Sequence, residues 1–384
     1  MASQRYLFTL FILMLLACEG NEVINESKTD SGTFKTFKVS VNGPKVSLSE
    51  LVERIEVMGL EETESLLLAY ANNISSYKDR YIFPSGSDGE IFTYSNTGKF
   101  ISKFSRKGDG PEEYGSLKAL WMKEDSLVVF DHGKKRLMYY DLSGEHLKTV
   151  NFREQVTNAL TYGNDFLMEV SFRSIKDSLN YRLLVQNQAM EDIAMHIPYK
   201  KSLPFPVYSS VSSFKPYDDH ILFQPTFHDT IYMIRDETVE PYYNIDFGDD
   251  YFWDDESLYD NPNDVMGEVG KRNQVWIFNS YATEKHILIN FNTSFKDFYQ
   301  GVINRETGEY HLFDLKNAQD ERLLLIMNRP DSDLFLFNMP SADLPDFIKE
   351  AGEDKVQFRA DWSLEKIESS ENPVLLWVKF KRVL

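Results

Sequence analysis

From Phe34 onward, short runs of alternating hydrophobic and polar residues are separated by polar turns. The clearest hairpin spans Leu127–Asp141, with Asp131-His132-Gly133-Lys134 as its turn. A glycine after a small polar residue supplies the positive φ that tight hairpins need. Turns of this kind recur at Asn96-Thr97-Gly98, Ser143-Gly144 and Glu306-Thr307-Gly308. The alternation predicts an all-β domain built from antiparallel hairpins.

The turns recur at a spacing typical of propeller repeats. Gly98 and Gly144 are 46 residues apart, and further steps of about 46 residues reach Gln188 and then Glu237, each inside a strand–turn–strand pattern. Gly308 then follows 71 residues after Glu237, so the register is interrupted by an insertion. Five hairpins and a terminal unit predict a six-bladed β-propeller of four-stranded antiparallel blades over residues 34–384.

A propeller must join its first and last blades, because otherwise a sheet edge stays open. We expect the strand Arg54–Leu60 and the strand Pro373–Lys381 to lie together in the terminal blade. Two short stretches, Ser47–Arg54 and Ser341–Ala351, have helical patterns, and neither is long enough to form a separate domain.

The insertion Asp249–Asp264 contains seven acidic residues and no basic residue. It has no D-x-D-x-D-G order, although calcium sites do use many carboxylate oxygens. It can equally be a solvated loop or short helix with Phe252 or Trp253 packed on the propeller rim. A third interpretation is a lid over the channel mouth, because long loops in compact folds are often functional.

The N-terminus is an export signal. Arg5 precedes the apolar run Tyr6–Ala17, which is too short to span a bilayer. The end of this run, Leu15-Leu16-Ala17-Cys18, resembles a bacterial lipobox, in which the cysteine receives a diacylglycerol. We expect residues 1–17 to be a lipoprotein signal peptide and residues 18–33 to be a flexible tether after lipidated Cys18. The alternative is an ordinary signal peptide with an incidental cysteine.

The net charge of the chain excludes one class of partner. Lys and Arg number 41 and Asp and Glu number 60, which gives a net charge of −19. Such a surface repels nucleic-acid phosphates, so a nucleic-acid partner is excluded. Because Cys18 is the only cysteine, the domain has no disulfide.

The sequence identifies no catalytic residue, metal ligand or cofactor. It contains no G-x-S-x-G, and none of its seven histidines forms an H-E-x-x-H pattern. Ser75-x-x-Lys78 and Ser212-x-x-Lys215 match S-x-x-K by chance, since K-T-G is absent.

The strongest local signal is the loop Arg106–Tyr114. Gly108 and Gly110 permit tight turns and Pro111 fixes φ, but the spacing is not that of a nucleotide loop. The loop is either a structural turn between blades or part of a ligand-binding face. For the second case the candidate residues are Arg106, Glu112, Glu113, Tyr114 and Trp253.

Four blocks of the chain resemble the six-bladed β-propeller lipoproteins of Gram-negative bacteria, which are similar to NHL and TolB-like propellers. The blocks are Leu48–Thr63, Phe104–Tyr114, Asp229–Tyr232 with Pro241 and Ile245–Gly248, and Asn372–Leu376. Glu112 stands where this family usually has a third glycine. The resemblance implies the propeller fold and an address in the cell envelope, lipid-anchored at the outer membrane and facing the periplasm or the surface. It implies no particular activity.

We therefore expect an acyl-anchored envelope propeller that binds a small molecule, peptide, carbohydrate or envelope protein on its channel face. One alternative is a lactonase- or lyase-like enzyme with a metal at the channel mouth, and another is a scaffold in an envelope complex. The Arg106–Tyr114 loop and the Asp249–Asp264 insertion both follow outer strands and should share one face. That face would suit a sugar, a peptide or a cationic partner better than an anion, and the Ser143-Gly144 turn should lie on the opposite face.

Overall fold

The computed structural model describes residues 34–63, 67–170, 174–175, 179–199, 211–236, 238–259, 265–316, 323 and 325–382. The predicted signal peptide, Cys18 and the predicted tether lie outside these residues. So does the end of the acidic insertion, residues 260–264. Within the described ranges no helix is long and apolar enough to cross a membrane.

The described chain forms six β-sheets, which are the blades of a β-propeller. Before the first blade come three elements: β1 (Lys35–Lys38), α1 (Leu48–Leu51) and β2 (Val52–Met58). Blade 1 contains β3 (Ser75–Tyr77), β4 (Arg80–Ser85), β5 (Glu90–Ser95) and β6 (Phe100–Phe104). Blade 2 contains β7 (Ala119–Lys123), β8 (Ser126–Asp131), β9 (Arg136–Tyr140) and β10 (His146–Asn151).

The third and fourth blades follow the same order from the inner to the outer strand. Blade 3 contains β11 (Val156–Tyr162), β12 (Asp165–Val170), the two-residue β13 (Ser174–Ile175), β14 (Leu179–Gln186) and β15 (Asp192–Tyr199). Blade 4 contains β16 (Phe214–Tyr217), β17 (His220–Phe223), β18 (Thr230–Arg235) and β19 (Thr238–Asp246). Three 3₁₀ turns follow at Gly248–Asp250, Phe252–Asp254 and Glu256–Tyr259, and then α2 (Val265–Arg272).

The last two blades complete the ring. Blade 5 contains β20 (Ile277–Ala282), β21 (His286–Asn292), β22 (Phe298–Asn304) and β23 (Tyr310–Phe313). The final segment contains β24 (Ile326–Asp331), β25 (Leu334–Met339), α3 (Leu344–Ala351), β26 (Val356–Phe358), α4 (Leu364–Glu368) and β27 (Val374–Phe380). Blade 6 has the strand order β24-β25-β27-β2-β26, so a strand from the N-terminal region enters the C-terminal blade.

The predicted repeat and the predicted ring closure are both confirmed. The turns at Gly98 and Gly144 join the third and fourth strands of blades 1 and 2, and the turn at Gly308 does the same in blade 5. The acidic insertion falls between blades 4 and 5. Closure occurs through antiparallel pairing of β2 with β27, from Val52 opposite Phe380 to Met58 opposite Leu375.

The helix expectation was correct at one end of the chain and wrong at the other. A 3₁₀ turn at Ser341–Asp343 leads into α3, as predicted. The stretch Ser47–Arg54 is helical only to Leu51, because Val52 already pairs with β27. Helices α2 and α4 were not expected.

Each hydrophobic cluster joins two adjacent blades, so the core is a ring of six interfaces. Strand alternation produces this arrangement. In β12, Phe166 and Met168 pack toward blade 2, whereas Leu167 packs toward blade 4. Because both faces of the blade are buried, three consecutive residues of this strand, Phe166–Met168, are hydrophobic.

Residues 35–46, here called the N-terminal belt, run along the outer edges of two blades. β1 adds to blade 4 as a fifth strand, parallel to β19. The amide of Leu312 in β23 then donates to the Pro44 carbonyl at 2.9 Å, and the amide of Val46 donates to the Leu312 carbonyl at 3.0 Å. The belt therefore covers blades 4 and 5 before β2 enters blade 6.

Candidate functional site

A cavity of about 650 Å³ lies on the axis of the ring. Each of the six inner strands contributes to its wall, through Ser75, Trp121, Leu160, Lys215, Tyr281 and Asn328 among others. The connections between blades form its mouth, including Tyr70, Asn72, Lys107, Ser116 and Ser212. A cavity of this size with mixed aromatic and polar walls is typical of small-molecule sites.

The charge of this cavity is opposite to that of the molecule. Lys107, Lys215 and Arg329 line it, and none of the lining residues in the described part of the chain is Asp or Glu. The whole chain carries −19. The cavity therefore differs from the expected face with one cation and many carboxylates, because residues 249–259, the described part of the acidic insertion, do not line it.

Lys215 is the most unusual of these cations, since its side chain is only 7% exposed. Its Nζ donates to Gln224 Oε1 at 2.9 Å and to the Ser280 carbonyl at 2.8 Å, and it lies 4.6 Å from the centre of the Tyr281 ring. Both oxygen acceptors are neutral. Burial lowers the pKa of Lys215 to about 7.

Local sequence explains how a lysine comes to be buried here. In β16, Phe214 packs toward blade 3, so its neighbour Lys215 must point the other way, toward blade 5. Gln224 fixes the second wall of this niche: its Nε2 donates to the Phe278 carbonyl and its Oε1 accepts from the Ser280 amide. The lysine therefore sits at the junction of blades 4 and 5.

Asn328 contributes a second polar group to the cavity. The pairing of β24 with β25 shifts register between Met327 and Arg329, which leaves Asn328 in a bulge. Bulges redirect side chains and often occur near functional sites. Both polar atoms of the Asn328 amide are buried, and neither has a hydrogen-bond partner within the described ranges.

A buried acid lies behind the cavity wall, between blades 3 and 4. The Glu169 carboxylate, in a side chain 4% exposed, accepts hydrogen bonds from Ser213 Oγ at 2.6 Å, Asn158 Nδ2 at 2.8 Å and the Thr226 amide at 2.7 Å. Its donors come from three separate segments. Glu169 therefore fixes the backbone that leads into β16.

The loop Arg106–Tyr114 closes on itself beside the cavity. Tyr114 is fully buried beneath it and lines the cavity, and its hydroxyl donates to the Gly89 carbonyl at 2.6 Å. Burial raises the pKa of Tyr114 above its usual value. The Glu113 carboxylate accepts from the Gly110 amide at 2.9 Å, so it stabilises the turn.

The other candidate residues of this loop face away from the cavity. Arg106 Nε donates to the Gly144 carbonyl at 2.7 Å and so links blade 1 to blade 2. Glu112 is exposed, and its carbonyl accepts from the Tyr140 hydroxyl at 2.9 Å. The Ser143-Gly144 turn therefore contacts Arg106 at the start of the loop. The expectation that this turn lies on the opposite face stays a prediction. Blade twist brings the turn of one blade against the end of the preceding outer strand.

The described part of the acidic insertion packs on the rim between blades 4 and 5. Trp253 is 6% exposed, stacks on Phe227 with ring centres 4.1 Å apart, and donates from Nε1 to the Trp276 carbonyl at 2.6 Å. Asp255 pairs with Arg272 of α2 at 2.6 Å. The rim-packed interpretation therefore describes residues 249–259. No three His, Cys, Asp or Glu side chains in the described chain converge to hold a metal ion.

The insertion and the loop occupy equivalent places in the fold. One follows the outer strand β6 and the other follows the outer strand β19, as expected. Of the five candidate residues, all described, Tyr114 lines the cavity, whereas Arg106, Glu112, Glu113 and Trp253 do not.

Sequence reasoning missed Lys215 and Asn328. Lys215 stood in the S-x-x-K match at Ser212, and both residues do line the cavity. They form no pair: Ser212 Oγ donates to the Phe214 carbonyl, whereas Lys215 Nζ turns to Gln224. The useful signal was a lysine at a core position of a strand, Phe-Lys-Pro-Tyr. For Asn328 the sequence carried no comparable signal, because a bulge is set by pairing.

Comparison with known proteins gives a family and a fold. The model of the domain of unknown function DUF4934 matches residues 34–379. None of the curated proteins compared with the chain matches it in sequence. A Bacteroides fragilis protein described as exported has a structure similar to this one, with a TM-score of 0.69 and 16% identity over 91% of this chain and 100% of that chain.

A second solved structure is a member of the DUF4221 family from Bacteroides vulgatus. It has a TM-score of 0.49 and 12% identity over 86% of this chain and 97% of that chain. The six blades of this structure confirm the predicted likeness to six-bladed propellers as a likeness of fold. Its narrower part, a relation to NHL and TolB-like lipoproteins, stays a prediction.

Proposed function

The chain belongs to the DUF4934 family, and from that premise we propose that it is an acyl-anchored envelope protein whose propeller binds a small molecule in its central cavity. One observation carries the binding part of this proposal. The cavity of about 650 Å³ is walled by all six blades and combines aromatic, cationic and amide side chains.

Two observations support the envelope address. The sequence Leu15-Leu16-Ala17-Cys18 follows a short apolar run, as in a lipobox. The similar Bacteroides fragilis structure is that of a protein described as exported. Two or three acyl chains bind a membrane stably where one does not, because each buried methylene contributes about 0.8 kcal/mol.

The anchor is tested by Cys18→Ala, with Gly20→Ala as a control two residues further on. We expect the wild-type chain and Gly20→Ala to take up an alkyne-tagged fatty acid and to fractionate with membranes. Cys18→Ala should take up no label and keep residues 1–17. A wild-type chain that takes up no label would contradict the anchor while leaving cavity binding open.

Binding is tested by filling the cavity. Ser212→Phe places a ring at the cavity wall, whereas Ser102→Phe places the same ring on the outer strand β6. We expect small molecules detected by saturation-transfer NMR to bind the wild type and Ser102→Phe but not Ser212→Phe. Molecules that bind all three variants equally would contradict the cavity as the site.

A further inference from the structure

We propose that the ligand of the central cavity is an organic anion, whose carboxylate or phosphate group is bound by the Lys215 ammonium and the Asn328 amide. This inference rests on the proposed function and specifies its ligand class. It comes from the arrangement of charge and of unsatisfied polar groups in the cavity.

The buried ammonium of Lys215 has no carboxylate among its hydrogen-bond partners in the part of the chain that the structure describes. A buried ammonium is costly unless an opposite charge and hydrogen bonds accompany it. The two oxygen acceptors of Lys215, on Gln224 and Ser280, are neutral. An ammonium has three N–H donors, so one donor remains beyond these two. An anion in the cavity would supply the missing negative charge.

The Asn328 amide lies in a bulge of β24, and its residue lines the cavity. Its buried oxygen and nitrogen atoms lack hydrogen-bond partners in the described chain, and such groups are rare in folded proteins. An amide NH₂ can donate to a carboxylate or phosphate oxygen. The strands β16 and β24, which carry Lys215 and Asn328, approach each other at the channel. Both residues line the same cavity, so we expect one ligand group to contact both.

The charged side chains that line the cavity give it a positive electrostatic potential. Lys107 lies at the mouth and Arg329 lies in the wall, and the described lining includes no carboxylate to oppose them. A cleft lined by one sign of charge concentrates ligands of the other sign. The whole chain carries −19, so the cationic lining of the cavity is opposite in sign to the net charge of the protein.

The non-ionic part of the ligand can be a planar ring. Tyr70, Trp121 and Tyr281 line the cavity. The Trp121 Nε1 already donates to Thr161 Oγ1 at 2.8 Å, so this residue offers its ring rather than its N–H. Aromatic walls bury ring surfaces well, and a few polar groups then set the orientation.

The test uses two pairs of probes, each of which combines an anion with a neutral compound that has the same ring. Benzoate and benzamide share one planar shape, and glucose 6-phosphate and glucose share one sugar. Titration calorimetry at pH 6.5 should show that each anion binds the full-length protein at least about tenfold more tightly than its neutral partner, the range of a charge-assisted hydrogen bond. The pair that shows the larger difference distinguishes carboxylates from phosphates.

Three variants locate the effect. Lys215→Met removes the buried charge with little change in volume, and Asn328→Leu removes the amide. Both should reduce anion binding about tenfold or more and leave the neutral partner unchanged. Lys148→Met, which removes an exposed lysine from the outer strand β10, is the matched control and should bind like the wild type. Thermal melting of each variant verifies folding.

Each outcome has a distinct meaning. Equal binding of charged and neutral partners, or anion binding that survives in Lys215→Met, would overturn the anion proposal and leave cavity binding intact. An anion affinity that falls equally in Lys148→Met would show that overall charge is responsible, which also overturns it. If none of the four probes binds, the anion proposal fails for both ligand classes, whereas the Ser212→Phe comparison still tests the cavity independently.

Discussion

Lys215 shows how a single residue can link the stability of the ring to the chemistry of its channel. Its ammonium bridges two blades through Gln224 and Ser280, yet burial lowers its pKa from 10.5 to about 7. A lysine whose pKa is lower in the folded state than in the unfolded state reduces the free energy of unfolding at every pH at which the folded protein holds the proton. This cost is fully present below pH 7 and disappears as the pH rises toward 10.5.

Lys215→Met should therefore change the pH dependence of unfolding. Between pH 7 and 10 the folded wild type has lost the proton that the unfolded chain still holds. Its free energy of unfolding should rise relative to that of Lys215→Met by up to about 1.4 kcal/mol per pH unit. Urea denaturation at pH 6, 8 and 9.5 measures this difference. A constant difference across that range would contradict the lowered pKa.

At the residue scale the sequence predicted packing better than it predicted the cavity. Pro111 and the glycines near it identified a tight loop, and Tyr114 does lie beneath that loop. A motif that spans fewer than about ten residues can be predicted from the sequence, because neighbouring residues determine its conformation. Lys215 meets Ser280 only because blades 4 and 5 are neighbours in the ring. Such a contact forms only when the blades pack side by side, so the spacing of residues along the chain does not predict it.

At the scale of elements, the hairpin turns carry the repeat. Gly98 and Gly308 occupy equivalent turns of blades 1 and 5, with φ of +79° and +76°. Their surroundings differ. A Cβ at Gly98 would overlap the Gly59 carbonyl oxygen, which belongs to the connection after β2, whereas a Cβ at Gly308 meets nothing within 4 Å. The same turn sequence therefore occurs in two surroundings. The turn at Gly98 packs against the connection after β2, whereas a Cβ at Gly308 would meet no neighbouring atom.

These two glycines form a matched pair for mutation. Either alanine variant should lose about 1–2 kcal/mol of unfolding free energy through its positive φ. Gly98→Ala should lose about 1–3 kcal/mol more, because backbone must move to make room. Denaturant titrations of both variants measure the difference, and equal losses would show that the contact with Gly59 relaxes without cost.

The helix expected at Ser47–Arg54 gives way to a strand after one turn. The pattern at Ser47 favoured a helix, but Val52, Ile55 and Val57 are β-branched and fill a buried strand of blade 6. The partner of that strand lies more than 300 residues away, at β27. Long-range pairing overrides a weak local preference, as tertiary context commonly does.

For the whole molecule, stability depends on closing the ring. β27 lies between β25 and β2, so it pairs the C-terminal half of blade 6 with the N-terminal strand. β1, in contrast, is an added fifth strand on blade 4 with four paired residues. The spacing of turns was enough to predict the number of blades and the closure, because both follow from the repeat and from the cost of an open edge.

Deletion of residues 373–384 should abolish cooperative thermal unfolding, because it leaves both β25 and β2 without the strand that pairs with them. Deletion of residues 34–38 is the control, and it should lower the melting temperature by a few degrees and keep a single transition. Circular dichroism at 218 nm, a β-sheet wavelength, follows both. A C-terminal deletion that melts like the wild type would show that the ring does not need β27.

The N-terminal belt also has a mechanical consequence. If Cys18 holds the chain to a bilayer, any load enters the domain at Phe34, on the perimeter of the ring. It then meets the four residue pairs of β1 with β19, next the two hydrogen bonds at Leu312, and last the β2 strand that closes blade 6. Under force, we expect these contacts to break in that order. The N-terminal belt thus protects the ring from a pulling force. The pairing of β1 with β19 and the hydrogen bonds at Leu312 must break before the force acts on β2, the strand that closes the propeller.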